Sequence, residues 1–149
     1  METSKMPDRV NYSTKAKQLI EKIDEGNFMG LGLKGASRSK LFLFAMSLGV
    51  ETKTKTDIVN PYSGGLVQDT AIDDKTRASM YSQFISLLQD PENGLDAIAD
   101  KGQVYKHTEQ YANTGFMIIA DYYENKKPED LIWDLFLELD EQYNEIKQQ

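Results

Sequence analysis

The most apolar stretch of the chain runs from Ser37 to Gly49 and reads SRSKLFLFAMSLG. From residue 40 to residue 48 only Lys40 and Ser47 are polar, and at about 100° per residue they fall on one narrow strip of a helix. Ser37 is a good N-cap, and Gly49 suits the left-handed residue that closes a helix. A helix that is apolar around most of its circumference must be covered by others. The pattern therefore predicts a buried central helix over 37–48.

Apolar residues recur at helical spacing in four further segments, which lie at 13–25, 70–89, 103–125 and 128–146. Thr70 to Asp73 has the spacing of a capping box and is expected to open the second of them. One or two further helical turns are expected within 95–100. Gly115 lies in the middle of the third segment, so either that helix breaks there or another backbone comes close. The pattern predicts a mainly α fold, a compact bundle of five or six helices around the central helix.

Three segments predict less regular structure. Residues 50–69 place turn signals between two short β-prone runs, which predicts a small β-hairpin near 57–68 or an irregular loop. The glycine-rich connector 27–36 is too apolar for a free linker, so we expect it to pack across the core. Residues 1–12 are polar and predict a flexible lead-in, which leaves 13–149 as a single helical domain.

The last predicted helix carries more apolar surface than a lone surface helix needs. Its buried side is expected to consist of Ile132, Leu135, Phe136, Leu139, Tyr143 and Ile146. Trp133 and Leu137 lie beside that set and widen it to roughly 200° of the helix. Either a second neighbour within the chain covers them, such as the 27–36 connector, or they form an interface with a partner or a second copy. In the latter case Trp133 is the anchor, because tryptophan is enriched at binding hot spots.

Charge is distributed unevenly over the 149 residues. The formal net charge is −7, but residues 1–60 contain ten Lys and Arg against seven Asp and Glu, whereas residues 61–149 contain seven against seventeen. Lys34, Arg38 and Lys40 cluster at the start of the central helix, where the unpaired N–H groups and the helix dipole favour a phosphate. Lys53 and Lys55 extend that patch. The alternative to a nucleic-acid or phosphate contact is an ordinary solvated face.

Candidate chemistry is sparse. Gly30 to Gly35 matches G-x-G-x-x-G, but the strand and βαβ unit that a dinucleotide site requires are not predicted around it. His107 is the only histidine, and Glu109, two residues away on a helix, points in another direction. There is no cysteine, which excludes thiolate chemistry and disulfides. The sequence predicts no catalytic set, no metal site and no cofactor, and hence a protein that is not an enzyme.

The location of the protein is predicted from what its sequence lacks. The first ten residues, METSKMPDRV, contain no apolar signal region, and no apolar run is long enough for a membrane span. We therefore expect a cytoplasmic protein without membrane contact.

Two segments carry a resemblance. Residues 38–50, RSKLFLFAMSLGV, together with residues 109–115, EQYANTG, resemble small prokaryotic proteins encoded beside DNA phosphorothioation and related anti-phage defence systems. The resemblance implies a non-enzymatic accessory or adaptor subunit of a multiprotein assembly, acting through protein–protein interaction, with no catalytic residues to carry over. The expected partners are other protein subunits or a second copy of the chain. We expect any contact with DNA to occur through a partner or through the small basic patch. The alternative is a nucleic-acid-binding protein that uses the basic N-terminal half.

Overall fold

The computed structural model describes residues 9–33, 37–61, 65–87 and 100–148. Within them five α-helices are found: α1 Lys17–Gly26, α2 Arg38–Thr52, α3 Asp74–Ser86, α4 Lys101–Asn125 and α5 Pro128–Lys147. The main packing is between α2 and α4; α3 packs against both, α1 packs on α4, and α5 contacts α4. The predicted mainly α bundle is confirmed. The predicted helix end at Gln89 and the turns within 95–99 lie outside the described residues.

The central helix α2 is buried, as its apolar pattern predicts. Leu41, Phe42, Ala45 and Met46 are fully enclosed, and Phe44 is partly buried. Ser37 occupies the N-cap position, although its hydroxyl lies against that of Ser39 at 2.9 Å and does not cap a backbone N–H group. The core of the bundle is therefore built around this helix.

Gly49 does not end α2, which corrects the prediction of a helix end there. The helix continues to Thr52, and Lys53 adopts the left-handed conformation that closes it. Gly49 is needed instead for packing, since a Cβ atom on it would lie 1.9 Å from the carbonyl oxygen of Tyr111 on α4. Gly115 has the same role from the other side, because its Cβ would lie 1.8 Å from the carbonyl oxygen of Ala45. The two backbones thus touch at a crossing that tolerates no side chain, and α4 runs through Gly115 without a break.

Of the two predicted alternatives for 57–68, the described residues form the irregular loop and not a local β-hairpin. The strand Val67–Gln68 pairs antiparallel with Arg9–Val10, a distant segment, rather than with residues 57–60. Val10 is fully buried and Tyr12 nearly so, so residues 9–12 belong to the packed body, although they were predicted as part of the flexible lead-in. Turn signals identify a chain reversal but not the distant strand that supplies the hydrogen bonds.

Residues 53–61 form an irregular loop that is fastened to α4. The buried Asn113 donates from Nδ2 to the carbonyl oxygens of Thr56 at 3.2 Å and Asp57 at 3.1 Å, and its Oδ1 accepts from the hydroxyl of Ser13 at 3.2 Å. The Thr114 hydroxyl donates to the carbonyl of Thr54 at 2.8 Å. The polar residues of the EQYANTG segment therefore hold neighbouring segments of the chain in place.

One of two predicted helix starts is correct, and the connector packs in the core only in part. The helix α3 begins at Asp74 with Asp73 as its N-cap residue, because Asp69–Ala71 forms a 3-10 turn, so the capping box at Thr70 is wrong. Pro128 occupies the first turn of α5, as predicted. Of the described part of the connector, Phe28 packs in the core, whereas Leu33 is exposed.

Candidate protein-docking surface

The largest departure from the predicted packing is in α5. Of its twenty described residues Leu131 alone is buried, and Leu135 is partly buried. The other five residues of the predicted buried set face solvent, and we call them the α5 stripe: Ile132, Phe136, Leu139, Tyr143 and Ile146. The prediction that they face the core is wrong, because helical spacing identifies which residues share a side but not what covers that side.

The side of α5 that faces the body is partly acidic. Beyond Leu131, Asp134 Oδ2 accepts a 2.6 Å hydrogen bond from the Tyr122 hydroxyl, which raises the pKa of Tyr122 to about 12. Glu138 lies beside Glu51 near the end of α2, where desolvation and the like charge of Glu51 raise the pKa of Glu138. A helix that places a carboxylate against another carboxylate while its apolar residues face water is weakly held by its own chain.

Trp133 and Leu137 form a second apolar feature on the same helix. They are four residues apart, so their side chains are neighbours, and they are 66% and 59% exposed. We call them the Trp133–Leu137 pair. At about 100° per residue the pair lies about 100–140° around the helix from Ile132. The described residues do not cover it, so the expected intramolecular neighbour is not found among them.

Carboxylates border the Trp133–Leu137 pair on both sides. By helical angle, Asp140 and Glu129 lie on one side of it, and Asp130, Asp134 and Glu141 lie on the other. The segment Pro128–Lys147 carries seven Asp and Glu residues against one lysine. No group of three or more metal-ligating side chains that could hold an ion was found in the described ranges. The pair is therefore an exposed apolar anchor within a negatively charged surface.

The predicted basic patch contains an internal ion pair. Both Arg38 Nη atoms donate to the Asp24 carboxylate, at 2.8 and 2.6 Å, and the Leu33 N–H donates to the same group at 3.0 Å. The hydrogen bond from Arg38 lowers the pKa of Asp24. A carboxylate of the chain itself therefore lies at the start of α2, where the sequence predicts a phosphate.

The remaining predicted cations are distributed over both ends of α2. Lys40 is exposed near its start, while Lys53 and Lys55 follow its end, about 20 Å away for a helix of this length. Lys55 Nζ lies 2.8 Å from Nδ1 of His107. Lys34 lies outside the described residues. The structure thus divides the described cations of the predicted patch between the two ends of α2, and nucleic-acid contact stays a prediction.

A polar cluster between α3 and α4 is not predicted by the sequence. Arg77 donates to the Tyr105 hydroxyl at 2.7 Å, and Asp69 accepts from Tyr105, from Arg77 at 3.2 Å and from Lys101 at 2.9 Å. Although burial raises the pKa of Asp69, these three donors lower it to about 2. Burial and Asp69 together raise the pKa of Tyr105, which keeps its hydroxyl protonated. The cluster joins three segments, and no spacing in the sequence identifies it.

Glu109 is a partly buried carboxyl group at the edge of a cavity. Burial raises its pKa to about 7, although Asn11 donates to Oε1 from its backbone N–H at 2.9 Å. It lines a cavity of about 490 Å³ together with Lys106, Gln110 and Asp57. His107 points elsewhere and stacks on Phe84, with ring centroids 5.7 Å apart. Glu109 therefore has no histidine partner for catalysis here.

A larger groove of about 920 Å³ lies between residues 13–19, the loop 56–60 and the outer side of α4. Its floor contains Leu19 and Phe116, and its charged residues, such as Lys15 and Glu124, are exposed at the rim. The groove offers packing area and no arrangement of reactive groups.

Comparison with known proteins leaves the chain without an assigned family. No protein-family model matches it, and neither the curated proteins nor the solved structures give a match. The resemblance of residues 38–50 and 109–115 to defence-associated proteins therefore stays a prediction. Across the described ranges, no helix has both the length and the apolar character that crossing a membrane requires.

Proposed function

We propose that the protein is a non-enzymatic adaptor or accessory subunit that binds another protein chain through the Trp133–Leu137 pair. The observation that supports this most directly is the 66% exposure of the chain's only tryptophan, beside a leucine that is 59% exposed. Large exposed apolar side chains that lie together, rather than singly, are typical of interaction sites. Tryptophan in particular contributes a large area at low entropic cost.

The charge around the pair defines the partner that fits it. With carboxylates on both sides of the anchor, a complementary surface has an apolar pocket for the indole ring and Lys or Arg residues at its rim. Such rim charges mainly accelerate association and exclude wrong partners, while the buried ring supplies the affinity. The proposed partner is therefore a protein with a basic surface, and its binding weakens as salt rises.

The setting of this function rests on the resemblance of residues 38–50 and 109–115. We propose a cytoplasmic role in a prokaryotic anti-phage defence or DNA-modification assembly, in which the basic partner contacts the DNA. Direct contact through the exposed Lys40 and Lys53 is the alternative, and a salt-titrated binding assay with duplex and single-stranded DNA distinguishes the two.

The test is affinity capture from a lysate of the native host with four baits: wild type, Trp133→Ala, Leu137→Asp and Leu139→Asp. The proposal predicts that one basic protein is retained by wild type and by the Leu139→Asp control, and that Trp133→Ala weakens its binding at least about 30-fold, as for a hot-spot residue. The Leu137→Asp bait is expected to lose it as well. Equal retention of that protein by the Trp133→Ala and Leu137→Asp baits contradicts the proposal.

A further inference from the structure

We infer that the α5 stripe is the seam of a homodimer, in which the α5 helices of two copies pack against each other in antiparallel orientation. The stripe and the Trp133–Leu137 pair lie on different sides of the helix. The inference therefore goes beyond the proposed function, and either one can fail without the other.

The spacing of the stripe indicates that a second helix packs on it. Ile132, Phe136, Leu139, Tyr143 and Ile146 follow one another in steps of four, three, four and three residues. This averages 3.5 residues, the repeat that keeps one side of a helix against a second helix along its whole length. All five side chains are exposed in the single chain, four of them by 62–69%.

The order of residue types makes the stripe complementary to itself. Aliphatic and aromatic side chains alternate along it, with the aromatic rings at Phe136 and Tyr143. In an antiparallel pair with Ile132 opposite Tyr143 and Phe136 opposite Leu139, each of these rings faces an aliphatic side chain of the other copy, which gives layers of equal width. In a parallel pair rings face rings and aliphatic residues face aliphatic residues, so the layers differ in width. Antiparallel helix dipoles also attract each other.

The charges of α5 permit this pairing although the helix is acidic. Asp134, Glu138, Glu141 and Glu145 lie about 180–240° around the helix from Ile132, so they point away from a partner on the stripe. Two carboxylates, Glu129 and Asp140, lie next to the stripe at about 60–80° from Ile132, and Lys147 lies on the same border. Repulsion across the seam is therefore small and is screened at physiological salt.

The stripe is small for a dimer interface. Phe136 and Tyr143 each have a surface of about 150–250 Å² and are more than 60% exposed. With the three aliphatic side chains, the stripe exposes on the order of 500 Å² per copy. Standard interfaces bury about 800 Å² per partner. The stripe is therefore smaller than a standard interface, and we expect a weak dimer whose formation depends on concentration.

Sedimentation velocity over about 1 to 300 µM measures the association, since the mass of a weak dimer rises with concentration. Wild type is expected to rise from the 17.0 kDa of one chain towards twice that value. Leu139→Asp is expected to weaken dimerisation about 100-fold or more, because it places two unpaired carboxylates in the seam. Leu137→Asp is the matched control, with the same change on the same helix at similar exposure, and it keeps the dimer.

Three outcomes overturn the inference: a wild type that stays at one chain throughout, a dimer that Leu139→Asp leaves intact, or equal loss in the Leu137→Asp control. Circular dichroism verifies that both variants keep their helices, which is expected because both positions are exposed in the single chain. Retained dimerisation in Leu137→Asp, together with loss of the captured protein in that variant, separates this inference from the proposed function.

The relative orientation of the two α5 helices can be tested by cross-linking. The chain contains no cysteine, so single cysteines can be introduced at chosen positions. In the antiparallel pair a short bis-maleimide joins Ile132→Cys of one copy to Tyr143→Cys of the other, and neither variant alone is joined. Cross-linking of Ile132→Cys with itself indicates a parallel pair and overturns the proposed arrangement.

Discussion

The helices α2 and α5 are both rich in large apolar side chains, yet one is enclosed and the other is open to water. Two glycines let the α4 backbone touch α2, so the apolar side chains around the crossing interdigitate at close range. The α5 helix has no such small residue on its body side, and it meets α2 with Glu138 beside Glu51. The comparison teaches that apolar content alone does not decide burial; close approach of the neighbouring backbone does.

The largest expected effect is at the α2–α4 crossing. Gly115→Ala is expected to lower the free energy of unfolding by about 3 kcal/mol, because its Cβ would overlap the backbone of Ala45 and the two helices must separate. Urea denaturation measures it, in the Leu139→Asp background so that association does not contribute.

Gly26→Ala is the matched control for this prediction. A Cβ on Gly26, the last residue of α1, meets nothing within 4 Å. Its stability is expected to be unchanged or raised by up to about 1 kcal/mol. A Gly115→Ala protein as stable as the wild type would show that the crossing is not held by backbone contact.

A smaller effect is expected where α5 is attached. Leu131→Ala is expected to lower the free energy of unfolding by about 2 kcal/mol. This is the lower end of the range for a buried leucine, because α5 can detach while the core stays folded. Leu137→Ala, on the same helix but exposed, is expected to change stability by less than about 0.5 kcal/mol. Hydrogen exchange along α5 reports the detachment. Equal, small effects of the two substitutions would mean that Leu131 does not anchor the helix.

The smallest effect depends on pH and concerns Glu109, near the core helices. Its pKa is about 7 in the folded protein, above the ordinary value of 4.5, so the folded state binds more protons than the unfolded state between those values. Stability contributed by the protonated carboxyl is therefore present below about pH 4.5 and is lost as the pH rises to about 7.

Glu109→Gln tests this pH dependence, because glutamine stays neutral and can still accept the hydrogen bond from the Asn11 N–H. The variant is expected to exceed wild type by on the order of 1 kcal/mol at pH 8, a value kept low because the side chain borders an open cavity. The difference is expected to shrink towards pH 5. A difference that does not change with pH would indicate that Glu109 titrates normally.

The fold could be predicted from the sequence where one local pattern decides the structure. The segment 37–48 has almost no polar side, so burial is its only stable environment. The role of Gly49 cannot be predicted from the sequence, because glycine both ends helices and permits close packing, and only the position of α4 decides between the two roles. The pairing of Val67–Gln68 with Arg9–Val10 is a long-range contact, which turn signals do not encode.

The candidate site was predictable in part. Trp133 and Leu137 were identified by their helical angle, whereas the exposure of the α5 stripe depends on packing that no single-helix pattern contains. The local sequence places Arg38 in a phosphate site, because its ion-pair partner Asp24 lies fourteen residues earlier on another helix, outside the local charge cluster. A cluster of cationic residues in a sequence does not show which of them form ion pairs in the folded chain.

The most direct test of the account is the solvent access of Trp133, the chain's only tryptophan, measured by acrylamide quenching of its fluorescence. If the apolar residues of α5 are exposed for binding to other chains, the quenching of Trp133 approaches that of free tryptophan in water. The Leu139→Asp substitution is then expected to leave this quenching nearly unchanged. A blue-shifted emission that acrylamide cannot reach would place Trp133 in a protein core and contradict the account.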